Sequence, residues 1–171
     1  MKGALVTRAA SFAARAHEHQ KRRDGRTPYF AHCARVALIV RDCGCEDEQV
    51  ISAAFLHDAI EDTTCDYDEL ASAFGDEVAR IVASMTKNMI LPEAEREAEY
   101  DARLAAGPWQ ARLIKLADQV DNLRDCIGDG ASTAKTLAKC ERALTLTARD
   151  KQPPVKAARE VLIELMRSAG P

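Results

Sequence analysis

His57 and Asp58 stand side by side in the run Ala53-Ala54-Phe55-Leu56-His57-Asp58-Ala59-Ile60-Glu61-Asp62, two potential metal ligands inside an otherwise apolar stretch. Glu61 and Asp62 follow one helical turn later. Burying ionisable groups costs free energy, so such a cluster on one short segment points to a site rather than to packing. In a helix the pairs His57/Glu61, Asp58/Glu61 and Asp58/Asp62 are three or four residues apart and share one broad face. His57 and Asp58 can then hold a divalent cation, with Glu61 and Asp62 placed to orient a bound water or accept its proton. Taken alone, Glu61 and Asp62 read more simply as acids meeting solvent at a helix end. That reading is weaker for His57-Asp58, which Phe55, Leu56 and Ile60 surround.

A metal centre needs further ligands from elsewhere in the chain. His32, in Tyr29-Phe30-Ala31-His32-Cys33, and Asp118, in Ile114-Lys115-Leu116-Ala117-Asp118, are the candidates. Either one by itself reads as an ordinary helix side chain. The joint order His, His-Asp, Asp is what gives them weight. Two imidazoles with carboxylate oxygens suit Mn²⁺ or Fe²⁺ and do not exclude Zn²⁺. Lys21, Arg22, Arg23 and Arg26 form a local basic patch in a chain whose formal charge is −3. Arginine can fork onto phosphate or stack on a base. The plainer alternative is a solvated helix end with cations favoured by the macrodipole.

The elements that must position these residues are helical. The chain has 171 residues, 47% hydrophobic and 30% charged, enough for one domain with a proper core. Periodicity predicts helices over 3–22, 29–42, 47–61, 66–74, 76–86, 93–105, 109–127, 132–149 and 154–168. The segment 47–61 is apolar nearly all round and should be central. Asp24-Gly25-Arg26-Thr27-Pro28 and Gly128-Asp129-Gly130 read as turns, Gly44 as a helix cap, and Gly107-Pro108 as a break. No period-two strand stands out. The expectation is an all-α bundle of roughly eight helices, a single domain over 1–171. Its motif-bearing core spans about 10–126, and the C-terminal helices over 132–168 serve packing. The six cysteines form no CxxC and read as free, mostly buried thiols. With no secretory leader and no apolar run of roughly 20 residues, the expected location is the cytoplasm, away from the membrane. The net negative charge gives no general attraction for nucleic acid.

The order His…His-Asp…Asp is similar to that of the HD-domain metal phosphohydrolases. The flanking words narrow the likeness: His17-Glu18-His19-Gln20, Arg22-Arg23, Pro28-Tyr29, Leu56-His57-Asp58-Ala59-Ile60-Glu61-Asp62-Thr63, Phe74-Gly75-Asp76-Glu77-Val78, Met85-Thr86-Lys87, and Lys115-Leu116-Ala117-Asp118-Gln119-Val120-Asp121-Asn122-Leu123-Arg124-Asp125. Together they resemble the hydrolase domain of RelA/SpoT-type proteins, most closely the stand-alone small alarmone hydrolases. The resemblance implies an HD fold, with His32, His57, Asp58 and Asp118 as ligands of Mn²⁺. It implies that Glu61 and Asp62 activate the hydrolytic water. It implies that Asn122, Arg22 and Arg23 contact the substrate, and it puts Tyr29 at an aromatic position that a core anchor would equally fill. The implied reaction removes the 3′-diphosphate of guanosine tetra- or pentaphosphate, releasing pyrophosphate and GDP or GTP. Two departures bear on substrate choice. Asp121 stands where many relatives carry His or an aromatic residue, and its charge would alter nucleotide contact or disfavour a phosphate. The acidic segment 87–107 is similar only loosely. An HD phosphohydrolase of another nucleotide and a catalytically silent nucleotide-binding module are the alternatives.

Overall fold

A computed structural model of the chain describes residues 3–130 and 133–169. Within them the ordered backbone is helical, apart from one antiparallel bridge between Lys21 and Pro28. The order is α1 (Ala4–Ala16), α2 (Phe30–Asp42), α3 (Glu48–Leu56), α4 (Ala59–Asp62), α5 (Tyr67–Phe74), α6 (Asp76–Met85), α7 (Glu93–Ala106), α8 (Trp109–Gly128), α9 (Ala134–Leu146) and α10 (Pro153–Ser168). The all-α expectation holds. Ser132, where the sequence places the start of the ninth segment, lies outside the described residues.

Two of the differences from the sequence reading serve the site. First, α1 stops at Ala16 instead of running to 22. His17 caps it, and the buried His17 ring pairs Nδ1 with Gln20 Oε1 at 2.7 Å. The chain then folds into a loop closed by Arg22 N–H to Thr27 O (2.9 Å) and Tyr29 N–H to Gln20 O (2.9 Å). Asp24 holds the loop tip by accepting from the backbone N–H groups of Arg26 and Thr27 and from the Thr27 hydroxyl. Those bonds, the hydroxyl's first, draw the Asp24 carboxyl down to about 2. Second, the segment 47–61 is not one helix. It breaks at His57-Asp58, where Asp58 takes φ −101°, ψ 1°, in the sparsely used region between helix and strand.

The core gathers around α3 and α8. Val50, Ala53, Ala54 and Leu56 of α3 are buried against α1, α2, α6 and α8, as expected of a central helix. Leu113, Leu116, Val120 and Leu123 of α8 are fully buried. Each large aliphatic side chain so buried contributes about 1.5–3 kcal/mol. Asp47 and Asp66 cap α3 and α5 by accepting from Gln49 N–H and Glu69 N–H. Gly75 joins α5 to α6 at φ 88°, ψ 157°, a conformation essentially closed to other residues. The last helix, α10, lays Val155, Ala158 and Leu162 over α8 and completes the core. All six cysteines are buried and free. No helix among the described residues is long and apolar enough to cross a membrane.

Candidate active site

The break between α3 and α4 explains how neighbouring residues reach one point. In a regular helix adjacent side chains diverge by about 100°. Here His57 Nε2 and Asp58 Oδ2 are 3.0 Å apart. The first turn of α2 brings His32, whose Nε2 is 3.6 Å from Asp58 Oδ2 and 3.4 Å from Asp118 Oδ1 of α8. One ligand atom from each of His32, His57 and Asp118 lies within 4.8 Å of the others. The two imidazoles meet edge to face, centroids 5.1 Å apart. Each uses Nδ1 away from the cluster, His57 on Ala54 O (2.9 Å) and His32 on Asp121 Oδ2 (2.6 Å). Both Nε2 atoms therefore converge. His57 Nε2 is buried and out of line for any hydrogen bond, the state of a donor atom waiting for a cation.

The electrostatics agree. Burial works against charge on His32, yet its hydrogen bonds to Asp118 and Asp121 carry its pKa up to about 9. His57 shifts upward too, with burial opposed by Asp58. Asp58 and Asp118 fall well below the usual carboxylate range. Desolvation opposes ionisation of both, and His57 overcomes it at Asp58 as Lys115 does at Asp118. Imidazoles shifted up and carboxylates shifted down mark a cluster that favours positive charge, which a divalent cation could supply.

Glu61 and Asp62 follow on α4. Glu61 Oε2 accepts Lys87 N–H (2.8 Å), and Asp62 O accepts from Gln20 Nε2 (2.6 Å). Burial first, then Asp58, raises the pKa of Asp62; burial also raises that of Glu61. The Tyr29 hydroxyl donates to Asp58 Oδ2 (2.7 Å) and lies 3.3 Å from Asp62 Oδ2. It ties a ligand to an acid, which neither sequence reading of Tyr29 included. Asn122 Nδ2 donates to Asp118 Oδ1, and its Oδ1 accepts from Arg22 (2.8 Å). Arg22 is further engaged by Asp125 (2.8 Å) and lies 5.5 Å from the Tyr29 ring centroid. Arg23 lines the cleft beside these groups.

That cleft, of about 290 Å³, contains side chains to which sequence reasoning gave no role. Lys87, Lys115, Lys139 and Arg142 all line it. The Lys87 and Lys115 ammonium groups sit 5.2 Å and 5.6 Å from the buried Tyr100 ring. Lys115 pairs with Asp118 Oδ2 at 2.9 Å, Lys87 with Glu97 at 2.6 Å, and Arg142 bridges Glu97 and Asp101. Thus the acidic segment 87–107 braces a cationic wall. Lys139 has no ion pair or hydrogen bond among the described residues, and burial followed by Lys87, Lys115 and Lys135 lowers its pKa. Asp121 does not line the cleft. Its side chain is 1% exposed and is spent on His32 and Arg35, so the expected interference with nucleotide does not arise from direct contact.

A helical bundle that gathers paired His and Asp ligands beside two acids defines an HD-domain protein. The HD domain family matches residues 9–144. The chain is 42% identical over 137 residues to guanosine-3′,5′-bis(diphosphate) 3′-pyrophosphohydrolase MESH1 of Danio rerio, covering 77% of this chain and 76% of that protein. Its Homo sapiens counterpart is 40% identical over 134 residues, covering 75% of each. The guanosine-3′,5′-bis(diphosphate) 3′-pyrophosphohydrolase of Aquifex aeolicus is 38% identical over 122 residues, 70% of this chain and 17% of that longer protein. In structure the chain is similar to a metazoan ortholog of SpoT that hydrolyzes ppGpp and plays a role in starvation responses, with TM-score 0.85 and 28% identity over 99% and 98% of the two chains. The chain belongs to the HD-domain family, the family of the MESH1 hydrolases it matches.

Proposed function

We propose that this protein is a metal-dependent guanosine-3′,5′-bis(diphosphate) 3′-pyrophosphohydrolase, a single HD domain over 1–171 that releases pyrophosphate and GDP or GTP. The observation that carries the reading is the placement of Glu61 and Asp62 one turn beyond His57-Asp58, in one cleft with Asp118 and five cationic side chains. A silent binding module has no need of that acid pair.

His32, His57, Asp58 and Asp118 would hold the metal, Mn²⁺ in this reading; the buried His57 Nε2, without a hydrogen bond and 3.0 Å from Asp58 Oδ2, and the depressed carboxylates fit a divalent cation. Such an ion, when bound, polarises the 3′-phosphate ester and lowers the pKa of a coordinated water. The rest falls to the chain. Glu61 and Asp62, made more basic by burial, take the proton of the water that attacks phosphorus. The bond to the ribose 3′-oxygen breaks, and that oxygen leaves protonated. Tyr29 holds Asp58 and Asp62 in register. Lys87, Lys115, Lys139 and Arg142 supply the positive field a polyphosphate requires in an acidic protein. Arg23 contacts the nucleotide directly; Arg22 acts on it through Asn122. Buried free thiols suit a cytoplasmic location.

The test incubates metal-stripped protein with guanosine tetraphosphate, with and without Mn²⁺, and measures pyrophosphate. Release is expected only with Mn²⁺ and should vanish in Asp58→Ala. No release with Mn²⁺, or release that survives Asp58→Ala, overturns the reading; turnover of other nucleotides alone would move the activity to another substrate.

A further inference from the structure

The two imidazoles of the cluster are held in the same tautomer by unlike means. His57 Nδ1 faces Ala54 O at 2.9 Å, a neutral carbonyl that its own helix provides. His32 Nδ1 faces a carboxylate, Asp121 Oδ2, at 2.6 Å, from a helix 89 residues away. A carboxylate can only accept, so a proton sits on Nδ1, which leaves Nε2, facing Asp58 and Asp118, as the nitrogen that would give its lone pair to a cation. A charged acceptor holds the ring more firmly than a carbonyl does and makes it the stronger donor.

Asp121 is in turn fixed by Arg35, whose Nε and NH2 fork onto its two oxygens, with NH2 to Oδ2 at 3.0 Å. The same NH2 reaches both oxygens of Asp125 at 3.0 Å. Asp125 accepts from Arg22 (2.8 Å), Arg22 donates to Asn122 (2.8 Å), and Asn122 donates to Asp118. The bonds thus run from one ligand, His32, to another, Asp118. Asp118, Asp121, Asn122 and Asp125 recur at helical spacing, so a single stripe of α8 carries both a ligand and the groups that steady the ligands. Each outer acid has its own arginine, so the ring adds little net charge to the centre.

We infer that Asp121 and Arg35 are a positioning pair for the metal centre: Asp121 fixes the aim of the His32 Nε2 lone pair, and Arg35 clamps Asp121 in place. This rests on the metal-centre reading above but not on the identity of the nucleotide.

The test measures Mn²⁺ affinity directly, by titrating metal-free protein and reading free Mn²⁺ by electron paramagnetic resonance. Asp121→Asn should weaken binding about 10–100-fold, with helical content unchanged by circular dichroism. Arg35→Met should weaken it by a smaller factor in the same direction. Glu160→Gln, an equal charge change on an exposed position of α10, should leave it within about twofold. In wild-type protein loaded with Zn²⁺ as a diamagnetic substitute, nitrogen-15 NMR should find the His32 proton on Nδ1. A dissociation constant unmoved by Asp121→Asn overturns the positioning role, as does a His32 proton absent from Nδ1, a result that stands even if the variant misfolds. Wild-type protein that binds no Mn²⁺ overturns the metal-centre reading itself.

Discussion

Arg112 should be worth far more to this fold than its partner Asp150. Its Nε and NH2 fork onto the two Asp150 oxygens at 2.7 Å each, and the side chains are only 13% and 7% exposed. Its remaining NH1 reaches the carbonyls of Leu104, Ala105 and Gly107 at 3.2, 3.3 and 2.7 Å, closing the C-terminal end of α7. Arg112→Met therefore leaves a buried carboxylate without its cation and strips those carbonyls of a donor. Breaking such a pair costs about 3–5 kcal/mol. Asp150→Asn leaves the arginine on the α7 carbonyls and keeps one acceptor, so the loss is about 1–2 kcal/mol. At about 2–4 °C per kcal/mol for a chain of this size, Arg112→Met should lower Tm by about 6–20 °C and Asp150→Asn by about 2–8 °C. Urea unfolding followed by circular dichroism measures both, with unchanged m-values as the check on two-state behaviour. Equal losses, or a larger loss for Asp150→Asn, would refute the idea that Arg112 caps α7 as well as pairing.

Tyr29→Phe removes a hydrogen bond to the Asp58 carboxylate; such a bond is worth about 1.5–3 kcal/mol, so kcat should fall about 10–100-fold with KM little changed, and a change confined to KM would contradict the role. Lys139→Met, which removes a cleft cation without an ion pair among the described residues, should raise KM about three- to tenfold while sparing kcat; initial rates at two ionic strengths read both the loss and its weaker salt dependence. Burial pushes the Glu97 pKa up, but Lys87 and Arg142 together bring it below its ordinary 4.5. A depressed carboxylate stabilises the fold above its unfolded pKa, and this is lost as pH falls through the folded one. Stability measured from pH 7 to pH 3 should thus drop more steeply below about 4.5 in the wild type than in Glu97→Gln, and parallel curves would count against the pairing. Chelation should destabilise the protein, and Mn²⁺ at 100 times its Kd should restore about 2.7 kcal/mol, or about 5–10 °C in Tm, as seen by thermal scans.

The meeting of His32, His57, Asp58 and Asp118 beside Glu61 and Asp62 was legible because adjacent residue types and their order along the chain carry that information. The stripe from Asp118 to Asp125 was legible in spacing, but not the direction in which Asp121 turns. The interruption at His57-Asp58 left no sign, since neither Gly nor Pro marks it. Local propensity favours continuing the helix, and the geometry follows the convergence of α2 and α8 on the same point. The early end of α1 was hidden similarly, because the first strong breaker in the sequence is Asp24-Gly25, whereas His17 and Gln20 turn the chain through their side chains. The cationic wall was the least legible part. Lys87, Lys115, Lys139 and Arg142 come from separate segments with no common period, and only the packing of α7, α8 and α9 assembles them.

That assembly bears on how turnover ends. Under the proposed function, an uncleaved polyphosphate would span the His-Asp cluster and the lysines at once, so each grip would raise the effective concentration of the other. Scission severs the span. Pyrophosphate and the nucleoside phosphate then each keep only a share of the contacts and depart independently, each more weakly held than the parent. The same lysines that favour capture would thereby hasten release, since cutting the substrate itself loosens the grip on its parts.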